Sequence, residues 1–328
     1  MTETASNPTP IFLLSLPRAG STLVQRVLAA HPEIATATEP HLLLPFVYAM
    51  RDRGVASEYS HRFTSFAIQD FSSRLPNGVA DFDAELRLFV RRLYHRAGRG
   101  DTRYFLDKTP KYHLIVDDIV RIFPEARLIF LWRNPLAVVA SLMETWARGR
   151  WNLFLFDIDL FDGLANLLAT YQACQNRALA MTYEDLVSNH LGPWERLFSY
   201  LDLPFAPALL SRFAEVEMKG RIRDPRQSEY RSLSQEPLEK WRATLGNPIR
   251  KAYCRRYLRW IGQERLSCMG YDLQGLLADL ASVPTSVRFL ASDLWRIPIE
   301  AAKEVLHLRE VSESLRILLR RRQVRGYR

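Results

Sequence analysis

The sequence predicts an α/β fold, with a central, mostly parallel sheet flanked by helices and a helical extension at the C-terminus. Three observations carry that expectation. Short apolar runs alternate with longer segments of helical periodicity, the mark of βαβ units. The first run, "IFLLSL" at 11–16, is apolar throughout, as in a parallel strand buried on both faces. Residues suited to chemistry follow directly after these runs, and open parallel sheets bind ligands beyond the carboxyl ends of their strands.

The elements follow in order. Residues 1–10, "MTETASNPTP", read as a disordered lead-in. After the first strand and a small-residue turn, Ser21 or Thr22 stands where it can cap the helix "TLVQRVLAAH". "EIATATE" is a short second strand, and 41–100 is mostly amphipathic helix, interrupted at "LPNG". "RYFLDK" (103–108) is the third strand, and Pro110 suits the first turn of the helix after it. "ARLIFLW" (126–132) runs straight into "RNP" and the helix "LAVVASLMETW". "RALAMTY" is the fifth strand, ahead of "EDL". The stretch 219–240 is polar and irregular, and a helical pattern resumes over 247–265. One domain is expected over 11–275, with 276–328 as a basic helical extension.

Bulk composition bounds the function. The 328 residues are 48% hydrophobic and 25% charged, which are ordinary globular values that allow a sizeable core. The formal charge of +9 favours an anionic partner. No nucleic-acid-binding module is recognisable, so nucleic acid is not the expected one. Cys174, Cys254 and Cys268 are scattered and outside any metal spacing, as in a reducing compartment. The N-terminus is polar and acidic, unlike a signal peptide, and no apolar run approaches ~20 residues. The expectation is a cytoplasmic protein with no transmembrane segment.

The turn "PRAGST", 17–22, is P-loop-like. Such a turn converges backbone N–H groups on an anion, and the helix N-terminus adds its dipole. Ser21 and Thr22 add hydroxyls, and Arg18 supplies a forked cation suited to phosphate or sulfate oxygens. The Gly-Lys-Ser/Thr of ATP and GTP hydrolysis is missing. The strand "LIFLW" ends in Arg133 rather than in an acid that would help to hold Mg²⁺. The loop therefore reads as one that holds anions with side-chain cations and no metal. Ser141 lies eight residues after Arg133, about 2.2 helical turns, so both can face one phosphate. A small-molecule kinase and a non-catalytic anion- or membrane-binding protein are the competing readings.

Together, "PRAGST" and "RNP…S" resemble the sulfotransferases that use 3′-phosphoadenylyl sulfate (PAPS), which release 3′,5′-phosphoadenosine (PAP). The pattern is similar to the tyrosylprotein and carbohydrate branch, and it covers roughly residues 10–265. The resemblance implies a three-layer, P-loop-like fold. It implies that Arg18, Ala19, Gly20, Ser21 and Thr22 bind the 5′-phosphosulfate, and that Arg133 and Ser141 bind the 3′-phosphate. The Glu after "AHP" and a short strand matches the general base and is Glu39. "DKTPKY" makes Lys108 the residue that, with Arg18, stabilises the transferring group. "TYEDL" makes Tyr183 a nucleotide contact, and in "SEYRSLSQEPLEKW" Lys240 and either Ser232 or Ser228 match the loop that closes over the nucleotide.

There are departures. Asn134 replaces the usual Asp, which alters a helix cap, and Ala19 replaces a usual Ser. Thr145 stands where a second nucleotide-binding Arg is usual, and Arg148 or Arg150 can substitute for it. Asp107 competes with Glu39 as base or pairs with Lys108. The acceptor is a small molecule, lipid, carbohydrate or peptide, bound by 41–100 and 146–175, segments rich in Phe, Tyr, Leu and Trp. The Arg-rich tail, "VLHLREVSESLRILLRRRQVR", is read as a solvated helix, with peripheral membrane contact as the alternative.

Overall fold

The structure is a computed structural model that describes residues 7–98, 102–188, 190–218 and 232–305. Its five strands are β1 (Thr9–Leu14), β2 (Ile34–Thr36), β3 (Tyr104–Asp107), β4 (Arg127–Trp132) and β5 (Ala178–Thr182). Between β1 and β3 come α1 (Ser21–Ala29), α2 (Leu43–Ala49), α3 (His61–Ser73) and α4 (Val79–Ala97). Then follow α5 (Val116–Ile122), α6 (Pro135–Ala147), α7 (Leu164–Cys174), α8 (Tyr183–Leu186), α9 (Gly192–Tyr200) and α10 (Leu209–Arg212). The C-terminal part holds α11 (Glu236–Leu245), α12 (Pro248–Cys268), α13 (Leu273–Ser282) and α14 (Leu290–Val305).

The sheet order is β2-β3-β1-β4-β5, and every pairing is parallel. The central strand β1 is flanked on both sides, which explains its unbroken apolar run: Ile11 to Leu14 are at most 1% exposed. Alternation along the strands builds two cores. Phe12, Leu14, Phe105, Phe130 and Trp132 enter one cluster, shared with α5, α6, α7 and α12. Ile11, Leu13, Leu106, Ile129 and Leu131 enter the other, shared with α1 and α9. A sheet with an apolar cluster on each face is the middle of three layers. The strand order reverses around β1, so a crevice opens at its carboxyl end, where "PRAGST" begins.

Several local expectations change, the first being that β1 begins at Thr9, inside the stretch 1–10 read as a lead-in, because Thr9 and Pro10 pair with Tyr104 and Phe105. Neither Ser21 nor Thr22 caps α1; its N-cap is Gly20, at φ 94°, with no side-chain cap. A 3₁₀ turn, Pro110–Leu114, precedes α5 where a continuous helix from Pro110 was expected. α11 falls partly within the stretch read as irregular. Asn134 does cap α6, its side chain accepting from the Leu136 N–H at 2.9 Å. Cys174 and Cys254 are buried, Cys268 is half-buried, and all three are free thiols. Burial pushes the Cys254 thiol up to about 12. Leu276, Leu280 and Val283 join the large core, so the first part of the expected extension packs onto the domain.

Candidate functional site

A cavity of about 330 Å³ sits at the carboxyl ends of β1, β3 and β4. Its wall brings together Arg18, Gly20, Ser21, Thr22, Glu39, Lys108, Arg133, Ser141, Tyr183 and Lys240 from seven separate stretches of chain. Lys111, another cation, lies in the same wall, so bases outnumber the acids Glu39 and Glu144 there.

The turn after β1 is held in an unusual conformation. Arg18 has φ 68° and Gly20 φ 94°, both in the left-handed region. At Gly20 a side chain has no room: a Cβ would lie 2.2 Å from Cδ2 of Tyr183. This close approach lets the Tyr183 ring close over the turn. The turn delivers the chain into α1, whose first N–H groups have no intrahelical partner and face the ligand end of the helix.

The two motifs meet here. Arg133 Nη1 donates to the main-chain oxygen of Arg18 at 2.9 Å, and Arg18 Nε donates to Ser141 Oγ at 3.3 Å. The Arg133 guanidinium lies over the Tyr183 ring at 4.4 Å, and its Nη2 donates to the Pro237 oxygen at 3.2 Å. Arg133 Nε is buried with no partner among the described residues. A buried guanidinium N–H without an acceptor suits an anionic ligand. Arg133 is itself anchored from behind: the Asn134 N–H donates to Glu184 Oε1 at 3.0 Å, and Tyr271 donates to Glu184 Oε2 at 2.6 Å. Burial, and then the Glu184 charge, hold the Tyr271 phenol well above its usual range.

Glu39 and Lys108 form an ion pair, Nζ to Oε1 at 2.6 Å, with side chains only 13% and 3% exposed. His41 Nε2 stands 3.7 Å from the other carboxylate oxygen. Burial by itself would raise the Glu39 pKa; His41 and the Lys108 ammonium outweigh it and hold the carboxyl below its ordinary value.

Asp107 does not pair with Lys108. It is fully buried and accepts from Tyr94 at 2.6 Å, Tyr112 at 2.9 Å and Thr109 at 3.0 Å. Burial raises its pKa, and the three donors temper the rise. The same donors' oxygens accept from the loop that carries Glu39: His41 N–H to Thr109 Oγ1 and Leu43 N–H to the Tyr112 hydroxyl, each at 3.2 Å. On the other side Gln25 Nε2 donates to the Ala37 and Thr38 oxygens at 2.7 and 2.9 Å. Glu39 therefore stands on a loop fixed from both flanks.

The remaining candidates fall differently. Ala19 is buried, absent from the wall, and its N–H donates to the Leu16 oxygen. Ser232 is exposed and outside the wall, and Ser228 lies outside the described residues. Lys240 is in the wall, yet also pairs with Glu236 at 2.9 Å on the helix surface. Arg148 and Arg150 are exposed and do not line the cavity.

Sequence reading missed four residues that shape this site: Gln25, His41, Glu184 and Lys111. Lys111 donates to the fully buried Asp159 at 2.6 and 2.7 Å, and His113 bonds the same carboxylate at 2.7 Å. Burial opposes ionisation of Asp159, but His113 and the Lys111 charge hold its pKa below the usual range. Glu184 and Lys111 had a local signal, since they lie within "TYEDL" and "DKTPKY". The other two become visible only when distant segments meet.

Comparison with known proteins supplies an independent line. A family model described as "Sulfotransferase family" matches residues 10–207. The chain is 34% identical over 143 residues to nodulation protein NoeE of Sinorhizobium fredii, covering 43% of this chain and 33% of that protein. It is 24% identical over 247 residues to protein-tyrosine sulfotransferase 2 of Gallus gallus, covering 70% of this chain and 62% of that protein. The chain thus spans less than two thirds of the length of either relative. Among solved structures it is similar to the sulfotransferase domain of the Synechococcus PCC 7002 olefin synthase. That match has a TM-score of 0.52 and 27% identity, and covers 74% of this chain and 90% of that one.

Proposed function

The chain belongs to the sulfotransferase family, and from that premise we propose that it moves the sulfuryl group of PAPS to a hydroxyl or amine acceptor. One observation carries the reading most directly. Arg18, Arg133 and Ser141, from two motifs more than a hundred residues apart, interlock at one edge of a cavity that also holds the Glu39–Lys108 pair.

The donor set fits PAPS. The guanidinium of Arg133, with its unpartnered Nε, and the Ser141 hydroxyl suit a terminal phosphate. Arg18, Ser21, Thr22 and the first turn of α1 suit a phosphosulfate. Tyr183 and Lys240 line the same wall. When bound, PAPS supplies an activated sulfuryl group and PAP as the leaving group.

Glu39 is the general base. It takes the proton from the acceptor as the acceptor oxygen or nitrogen attacks sulfur in line with the departing phosphate, a role typically worth ~10²–10⁴-fold. Paired with Lys108, Glu39 is a weak base. Its basicity rises as the ammonium is drawn toward negative charge developing on the sulfuryl and bridging oxygens. Lys108 and Arg18 stabilise that charge, and such preorganised electrostatics is usually the larger contribution. In this reading side-chain cations, rather than a metal ion, hold the anionic donor.

Within the segment 146–175, the wall includes Trp146, which is 56% exposed, and Phe156. This supports an acceptor with an apolar or aromatic portion. The Gallus gallus relative is named for protein tyrosine, so a phenolic hydroxyl is one acceptor class to include. Thermal shift separates the donor readings: PAP should raise Tm with no metal added, more than ATP with Mg²⁺ does. The reverse order would make the protein a nucleotide-triphosphate enzyme instead. Sulfur-labelled PAPS, offered with fractionated metabolite extract, phenols, glycans, lipids and peptides, then identifies the acceptor.

A further inference from the structure

Helix α14 combines a buried acid with an exposed apolar stripe. Among residues 290–299, the one fully enclosed is an acid, Asp293, bonded by Arg250 Nε at 2.7 Å, Arg250 Nη2 at 3.0 Å and Asn247 Nδ2 at 3.0 Å. Arg250 is in turn fixed by the oxygens of Thr244 and Gly149. Arg296 Nη1 reaches the Trp151 oxygen at 3.4 Å. Polar contacts, together with Ile297 packed against the large core, hold this helix to the domain.

Its apolar stripe faces outward. Ala291, Leu294, Trp295, Pro298 and Ile299 recur at the i, i+3, i+4, i+7, i+8 spacing of a single helix face. All five are exposed; Leu294, Trp295 and Ile299 are 59%, 75% and 48% exposed, and Val287, just before the helix, is 79% exposed. A contiguous exposed apolar face of this kind marks an interaction surface.

Charge selects the occupant. From Arg288 to Arg328 the sequence holds ten Lys/Arg against five acids, and one of those acids, Asp293, is already paired with Arg250. A second copy of a chain with formal charge +9 would bring like charges together. An anionic bilayer surface attracts the same charges and accepts the apolar stripe, with Trp suited to the interface. Among the described residues no helix is long and apolar enough to cross a membrane, so α14 is suited to lie along the surface.

We propose that α14 is an interfacial anchor that docks this protein on anionic membranes, through the stripe Ala291–Ile299 and the Arg-rich sequence that follows the helix. α14 packs against the turn Leu153–Phe156, and Phe156 lines the cavity. Docking therefore brings the acceptor side of the site near the bilayer surface.

The test uses the full chain and vesicles of phosphatidylcholine with or without about one third phosphatidylserine. Wild type should co-sediment with the anionic vesicles, far less with the neutral ones, and less in about 1 M salt than in about 0.1 M, because surface attraction is screened (~3 Å against ~10 Å Debye length). Leu294→Ser with Trp295→Ser leaves the Arg250–Asp293 pair in place and should lower binding at least ten-fold, while the Tm shift with PAP stays that of wild type. Lipids with brominated chains should quench part of the wild-type tryptophan fluorescence, and Trp295→Phe should lose that part. No binding to anionic vesicles, equal binding by the double variant, or a dimer in sedimentation velocity that the double variant splits would each overturn the proposal. The vesicle assay needs no donor or acceptor, so it stands or falls separately from sulfuryl transfer.

Discussion

Lys108 Nζ lies 2.6 Å from Glu39 Oε1, and both side chains are almost shut off from solvent. The two groups that suit proton transfer and charge stabilisation thus hold each other in the donor-free protein. Replacing Glu39 by Gln keeps the shape and removes the base. Turnover should fall by about 10²-fold or more, the scale of a general base. PAP affinity, measured by calorimetry, should stay within about two-fold of wild type. Comparable turnover in the variant would remove Glu39 from the mechanism.

The Glu39 carboxyl is held below the ordinary carboxylate range, and the sign of its pH effects follows. A depressed folded pKa contributes stability that is present above the unfolded value, about 4.3, and is lost as pH falls through the folded value. The Tm advantage of wild type over Glu39→Gln should therefore shrink in that acid window and not at alkaline pH. The acid limb of kcat/KM for PAPS, which reports the donor-free enzyme, should lie below ~4.3. His41→Gln removes one of the groups that lower this pKa and should move the limb upward. A limb that does not move would assign it to another group.

Arg133→Ala removes two fixed contacts and the cation stacked on Tyr183. PAP binding should weaken by about 10- to 100-fold, on the order of one charged hydrogen bond. Arg133→Lys should recover little, since an ammonium lacks the planar fork. An unchanged dissociation constant would displace the donor site from this cavity.

Gly20→Ala combines a strained φ of 94° with a Cβ placed 2.2 Å from the Tyr183 ring. The variant should lose Tm and PAP affinity together, on the order of 1–3 kcal/mol for the backbone conformation. Tyr183→Ala in the same chain should relieve the clash, leaving only the backbone cost. Full additivity of the two losses would show that the ring contact is unimportant.

Tyr112→Phe tests the support beneath Glu39. The hydroxyl bonds Asp107 at 2.9 Å and accepts from the Leu43 N–H at 3.2 Å. Its loss should lower kcat several-fold while PAP affinity is unchanged, because the base is loosened and the donor site is not touched. Equal losses in kcat and PAP affinity would make the network a general fold element.

Much of the architecture was legible along the chain. The run "IFLLSL" is apolar without alternation because β1 has a strand on either side and a helix layer on either face. Arg18 stood out in the sequence because it sits in a small-residue turn that follows a strand and opens a helix, whereas Arg133 and Ser141 stood out only through the resemblance carried by "PRAGST" and "RNP…S" together. Asp107 was ambiguous, since "DK" puts an acid beside a base in sequence. A β-strand sends successive side chains to opposite faces. Asp107, the last residue of β3, turns inward to Tyr94 and Tyr112, and Lys108, just past the strand end, turns to Glu39.

By itself the sequence determined the parallel sheet, the phosphate-type loop and the residue types gathered at the strand ends, because periodicity and turn chemistry are local properties. The tertiary structure alone decided which groups pair. Glu184 behind Arg133, Gln25 beneath the Glu39 loop and Asp293 against Arg250 are contacts between segments 43 or more residues apart or carried by backbone atoms. It also decided that the apolar stripe of α14 faces outward. Periodicity shows that a helix has two faces, but only the buried ion pair with Arg250 fixes which of them the domain covers.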